Sequence, residues 1–324
     1  MPKIAFVGQP SYFRGHYADM LINPPEGYEA IEVPFTFMVS NPESTLMGLT
    51  ADVIYLFRGE LIPLQVLKSM KGIKVHLSTE PMPFDGQNGN VEISPDRSQR
   101  AWELTGNREG FDHIYHFDKA SISFLERQKF KIEGDFYLPI SKTVFHPEGQ
   151  DGDVATWDVL FYAKDTTHRS AMTANLKHIM GERFCHIAHG FVGEELNRIA
   201  AKSLIGLNVH VDGIPTMEPR IQQMMAMGLC VFSEPISHHD LFKPGVHFVE
   251  FSGPQDLWGK VNYYLNEAAE ERQQIAEAGY ALVTEKLDAV TEWKRFTDMI
   301  LAGRAYTAPK LLEVRHHNKP RHSR

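Results

Sequence analysis

The residues with the most chemistry in this sequence stand at two kinds of place, the end of an apolar run and the start of a helix-like one. Glu80 directly follows Val75-His76-Leu77-Ser78-Thr79, a run with the composition of a buried strand. The carboxyl ends of strands are where open α/β sheets hold their ligands. In the second half, Glu218-Pro219-Arg220 opens a stretch reaching Met227 with helical apolar spacing, closed by Gly228 as a stop. A helix N-terminus offers unpaired backbone N–H groups and a partial positive charge, and Arg220 adds a planar fork of donors, a combination suited to a diphosphate. Gln223, one turn further, offers one acceptor oxygen and a donor nitrogen. Gly8 closes the first apolar run, Ile4-Ala5-Phe6-Val7, ahead of the polar turn Gln9 to His16, and without a Cβ it lets a ligand approach the backbone.

Other chemistries lose support from what the motifs lack. No G-x-G-x-x-G follows the first run and no G-x-x-x-x-G-K-S/T occurs, against dinucleotide oxidoreductases and P-loop NTPases. Sixteen histidines include the pairs His238-His239 and His316-His317, but adjacent residues rarely reach one ion, and neither H-E-x-x-H nor a paired C-x-x-C is present. Neither a metal site nor a cofactor is expected.

The elements that must position these residues alternate short apolar runs with helical patterns, as parallel sheets covered by helices do. Strands are expected at Lys3 to Val7, Asp52 to Phe57, Lys74 to Ser78 and His113 to Phe117, with a short helix at Pro63 to Met70. The polar, Gly-rich stretch Glu148 to Asp153 reads as a linker. The pattern restarts with strands at Trp157 to Tyr162, Phe184 to Ala188, Ile205 to Val211 and Leu229 to Phe232. Helices are expected at Arg169 to Met180, Asp256 to Glu267, Glu270 to Thr284 and Ala289 to Ala302. The expected organisation is one Rossmann-like domain over 1–147, a second over 154–288, a helix over 289–302 crossing back to the first domain, and a basic tail over 303–324.

The 324 residues suit two α/β domains, and 43% hydrophobic with 23% charged residues is ordinary globular composition. Cys185 and Cys230 lie in apolar contexts, so a reducing, cytoplasmic setting is expected. No apolar run approaches the roughly 20 residues that cross a bilayer. The net charge of −8 disfavours a nucleic-acid-coating surface, although residues 303–324 hold six Lys or Arg against Glu313.

The segment Leu207-Asn208-Val209-His210, a turn through Asp212-Gly213-Ile214-Pro215, and then Glu218 to Glu234 resembles the nucleotide-sugar-binding segment of GT-B glycosyltransferases, in particular the spore-maturation (CgeB-like) group. It resembles more distantly the phage DNA β-glucosyltransferases. The resemblance implies an α/β chain with two Rossmann-like domains facing across a cleft. In the family an Arg-x-x-Glu begins the helix: Arg220 matches the arginine, Gln223 stands in place of the glutamate, and Glu218 is a candidate replacement. Trp157 to Arg169 is similar to the family's first strand and loop in that domain, which makes Arg169 and Lys164 candidates for the donor phosphates. His189 and Phe191, after the strand at His186, are candidates to stack on the nucleobase. Glu80, in a Thr-Glu-Pro context, matches by position the phage enzymes' general base.

The resemblance implies a metal-independent hexosyl or pentosyl transfer from a nucleotide diphosphate sugar, with UDP expected, to an acceptor hydroxyl. Charge neutralisation then falls to Arg, Lys and the helix terminus. A nucleotide-sugar 2-epimerase and a noncatalytic nucleotide-sugar or glycan-binding protein stay open, the latter because of Gln223. A glycan, protein or small molecule is expected as acceptor ahead of DNA, since residues 1–145 carry 14 Lys or Arg against 18 Asp or Glu.

Overall fold

The computed structural model describes residues 1–36, 43–86, 90–147, 156–190, 193–238 and 240–311. The expected linker, Phe191, His239 and the tail from residue 312 onward, with His316 and His317, lie outside the described residues.

Two parallel sheets form the chain. The first contains β1 (Lys3–Gly8), β2 (Glu29–Pro34), β3 (Thr50–Phe57) and β4 (Lys71–Ser78). A small antiparallel pair, β5 (Phe84–Asp85) and β6 (Val91–Glu92), stands apart, and β7 (His113–His116) and β8 (Gly134–Asp135) complete the first sheet in the order β2-β1-β3-β4-β7-β8. The second contains β9 (Trp157–Tyr162), β10 (Phe184–Ile187), β11 (Ser203–Asn208), β12 (Cys230–Ser233) and β13 (Val249–Glu250), ordered β10-β9-β11-β12-β13. All neighbours within each sheet run parallel. Ile4 to Val7 and Val53 to Phe57 are fully buried, as strands covered on both faces must be.

The strand order reverses between β1 and β3 and again between β9 and β11. Such switch points leave a crevice beyond the carboxyl ends of the strands. Each sheet therefore opens its crevice with residues that closely follow these strands, Gln9 and Arg58 in one and Lys164 in the other. The result is the GT-B arrangement of two Rossmann-like domains facing across a cleft.

Helix Ala289–Leu301 packs on the first sheet although it comes last in the sequence. Its Trp293 is fully buried, with ring centroid 5.1 Å from Phe6 and 4.7 Å from Tyr55. The indole Nε1 donates to the His16 carbonyl at 2.6 Å. The two chain passages between the sheets run side by side: Ile140 N donates to Leu287 O at 2.6 Å and Ala289 N to Ile140 O at 3.0 Å.

Two buried side chains of the first domain bind the loops after β11 and β12. Arg97, fully buried, donates from Nε and Nη2 to the Asp212 carboxylate at 3.0 and 3.4 Å, and also to the carbonyls of Met82 and Ile214. Asp118, equally buried, accepts from the hydroxyls of Thr216 and Ser237. Arg97 belongs to helix Pro95–Asn107, which the apolar pattern did not announce: only Arg97 and Leu104 of it are buried, so it has no apolar stripe. Ser94 caps it, its side chain accepting from Arg97 N, with Pro95 at the first position.

Candidate active site

Residues that follow β1, β3 and β4 meet residues that follow β9 and β11 around a cleft of about 690 Å³. On the side of the second sheet, helix Pro219–Ala226 begins at the cleft with Glu218 as its N-cap residue and Pro219 as its first helical one. The Glu218 side chain makes no cap bond. It lies instead among basic groups: Arg220 Nη1 at 3.1 Å, Arg169 Nη2 at 3.5 Å and His210 Nδ1 at 3.5 Å. Burial alone would raise the carboxyl pKa, but Arg220, His210 and Arg169 outweigh it and hold Glu218 at about 2. The same contact reverses the effect of burial on His210, whose pKa is raised.

Arg220 also donates from Nη1 to Asn208 Oδ1 at 3.2 Å, and its guanidinium lies 5.7 Å from the Tyr162 ring centroid. Arg169 sits in the first turn of helix Thr167–Met180, whose cap Thr166 accepts from its backbone N–H. Its guanidinium, almost wholly buried, donates to the carbonyls of Val209 at 2.9 Å and Lys164 at 3.1 Å. Arg169 thus ties the β9 loop to the β11 loop, while Lys164 stays exposed at the cleft. The Arg169 pKa is lowered, first by burial and then by the like charge of Arg220.

On the facing side, Glu80 is held at both oxygens. Arg58 Nη1 reaches Oε1 at 2.8 Å and Arg100 Nη2 reaches Oε2 at 3.3 Å. Arg58 directly follows β3 in a left-handed backbone conformation, φ 60° and ψ 36°, which a non-glycine residue adopts at a cost on the order of 1 kcal/mol. Its guanidinium also pairs with the buried Glu60. Beside it stand Tyr12, which is 66% exposed, and Phe13, stacked on Phe57 at 4.7 Å.

The two sides meet at Gln223. Tyr162 donates its hydroxyl to Gln223 Oε1 at 2.9 Å, and Gln223 Nε2 lies 3.2 Å from His16 Nε2. His16 Nδ1 is 2.8 Å from the Pro139 carbonyl, which can only accept, so the ring proton sits on Nδ1 and Nε2 accepts from the amide. Burial pulls the His16 pKa down to about 4, against the opposing pull of the Pro139 bond.

Of the residues expected from sequence, Glu80, Lys164, Arg169, Glu218, Arg220 and Gln223 all line this one cleft. Gly8 and His189 are not among its lining residues. A Cβ on Gly8 would come 3.0 Å from Phe57 Cβ and 3.2 Å from the Phe13 ring, so the missing side chain makes room for protein packing. His189 is exposed, beyond the edge strand β10. Glu218 is not free to hold a ribose, since its carboxylate is the counter-ion of Arg220 and Arg169 and faces His210. Sequence reasoning missed Arg58 and Arg100. The signal for Arg58 was present, as it directly follows an apolar run in the way that marked Glu80. For Arg100 there was none, because its helix has no apolar stripe. Among the described residues, no group of three or more His, Cys, Asp or Glu could hold a metal ion. No described helix is long and apolar enough to cross a membrane.

Residues 168–298 match a family model described as glycosyl transferase-like. No curated protein matches the sequence. Among solved structures, the chain is similar to Anabaena HepE in complex with UDP and glucose, with TM-score 0.61 and 12% identity over 93% of this chain and 100% of that one. It is similar to a sucrose-phosphate synthase from Thermosynechococcus elongatus, with TM-score 0.60 and 10% identity over 94% and 100% of the two chains. A putative UDP-N-acetylglucosamine 2-epimerase from Listeria monocytogenes gives TM-score 0.59 and 10% identity over 96% and 99%.

Proposed function

We propose that the chain is a glycosyltransferase that moves a sugar from a nucleotide diphosphate sugar, UDP-linked, to an acceptor hydroxyl. The observation that carries this reading is the cationic helix start at the cleft, where Arg220 and the N-terminus of Pro219–Ala226 line the same space as Lys164. The similarity of residues 168–298 to the glycosyl transferase-like model supports it, as does the HepE complex, in which a protein of the same fold holds UDP and glucose.

In this reading Arg220, Lys164 and the helix N–H groups bind the diphosphate, and Arg169 holds the two loops that carry them. Neutralisation of the leaving diphosphate by these fixed charges makes the transfer metal-independent. The acceptor oxygen attacks the anomeric carbon, the bond from that carbon to the β-phosphate oxygen breaks, and the nucleoside diphosphate leaves with the electron pair. Glu80 takes the acceptor's proton if the centre inverts; if it is retained, Glu80 orients the hydroxyl and the proton passes to the departing β-phosphate oxygen. Gln223 faces the same cleft, with one amide N–H and one lone pair not used by His16 and Tyr162.

A 2-epimerase is the second reading, favoured by the fold similarity to the Listeria protein. Following nucleotide release from UDP-sugars, with and without candidate acceptors, separates the two. Acceptor-dependent release with a glycosylated product supports transfer. Isomerised or hydrolysed donor whose yield no acceptor changes supports the second reading.

A further inference from the structure

The acceptor wall of the cleft has a chemistry of its own, set by Tyr12, Phe13, Arg58, Glu80 and Arg100. Its two guanidinium groups are both compensated. Arg58 lies between Glu60 and Glu80, and Arg100 shares Glu80, so two positive charges meet two negative ones. An anionic acceptor would lose hydration against this wall and find no net charge to replace it. A neutral ligand rich in hydroxyls fits, because each hydroxyl both donates and accepts while the wall offers guanidinium N–H donors beside carboxylate acceptors.

The aromatic part supplies the other half. Tyr12 sits in the short helix directly after β1, 66% exposed and lining the cleft, its ring 6.4 Å from that of Phe13. Phe13 is held by its stack on Phe57, so a fixed apolar surface with a phenol at its rim stands beside the polar groups. A pyranose presents the matching pair of surfaces, a face of C–H groups and a rim of hydroxyls.

We propose that the acceptor is an uncharged saccharide, seated on Tyr12 and Phe13 with its hydroxyls read by Arg58, Glu80 and Arg100. This rests on the transferase reading above, and the test keeps the two apart. UDP binding is first measured by calorimetry. Transfer from a UDP-sugar is then assayed with three acceptor panels, namely neutral methyl glycosides and disaccharides, sugar phosphates and uronic acids, and Ser/Thr peptides. The expected result is turnover on neutral saccharides, with Tyr12→Ala raising acceptor KM about tenfold or more and leaving UDP affinity unchanged. Transfer confined to the anionic or peptide panels, or an unchanged acceptor KM in Tyr12→Ala, overturns the saccharide assignment while the transferase reading stands. Failure of UDP and the UDP-sugars to bind overturns both.

Discussion

Gln223 and His16 meet at 3.2 Å across the boundary between the two sheets, the amide of one domain donating to the imidazole of the other. The sequence of proton positions is fixed outward from this contact: Pro139 holds the ring proton on Nδ1, and the Tyr162 hydroxyl occupies the amide oxygen. An amide can serve a neutral histidine and a hydroxyl at once. A carboxylate can serve both only if His16 takes a second proton.

Gln223→Glu, which family resemblance alone would expect to tighten nucleotide binding, is therefore expected to destabilise the protein near pH 8 by about 1 kcal/mol, the worth of one lost neutral hydrogen bond. The variant carboxylate raises the folded-state pKa of His16. His16 of the variant therefore loses less stability than that of the wild type as pH falls below the unfolded value of 6.5. Urea midpoints of wild type and variant measured from pH 5.5 to 8.5 should diverge with rising pH, and a constant gap would remove His16 from the explanation.

Acid lability follows from the same histidine and two others. Burial lowers His16 and His116 to about 4 and His76 to about 3, with the charge of Arg58 adding to the effect on His76 and Asp118 opposing it on His116. These groups bind protons more readily when unfolded, so their contribution is level above pH 6.5 and falls below it toward the folded values. For His16 the full loss is roughly 3 kcal/mol. His210, raised by Glu218 against burial, works with the opposite sign. Denaturation followed from pH 8 to pH 4 should show falling stability that His16→Asn makes shallower, and an unaltered slope in that variant would count against a neutral buried His16.

The Arg97–Asp212 pair should respond unequally to loss of either partner, because Arg97 is fully buried while the Asp212 side chain is 21% exposed. Asp212→Ala leaves a buried guanidinium and is expected to cost about 3 kcal/mol. Arg97→Met keeps most of the volume and leaves a carboxylate that water can reach, so a smaller cost is expected. Urea unfolding of both variants reads the difference directly, and equal costs would mean that the Met82 and Ile214 carbonyl bonds carry the contact.

Glu80→Gln keeps the shape between Arg58 and Arg100 and removes the basic oxygen. Turnover should fall by a factor on the order of 10² to 10⁴, with UDP affinity nearly unchanged. Steady-state kinetics with calorimetry on the same preparation tests this, and wild-type turnover would make Glu80 a structural counter-ion of the two arginines.

Most of the strands were legible because apolar runs such as Ile4 to Val7 and Val159 to Phe161 are buried on both faces, which leaves little room for polar residues. β2 was not, since only Val33 among its residues is buried. Helices with a clear stripe, such as Ala289–Leu301, were legible nearly to the residue. Helix Pro95–Asn107 is instead held to the other domain by one buried arginine, a contact with no period to read. At the site, helix-start logic located Arg220 and strand-end logic located Glu80. The roles of Glu218 and Arg169 depend on His210 and on the Val209 and Lys164 carbonyls, contacts that only the folded chain brings together.

The most direct test is calorimetric titration of UDP into the wild-type protein and into Arg220→Ala. Arg220 is only partly buried and Glu218 keeps Arg169 and His210 as partners, so the variant is expected to fold. The expected result is saturable binding at one site by the wild type, weakened at least tenfold in the variant, as the loss of a charge-assisted contact to a phosphate requires. Equal UDP affinity in the two proteins, or no binding by either, would contradict a diphosphate site at the start of helix Pro219–Ala226.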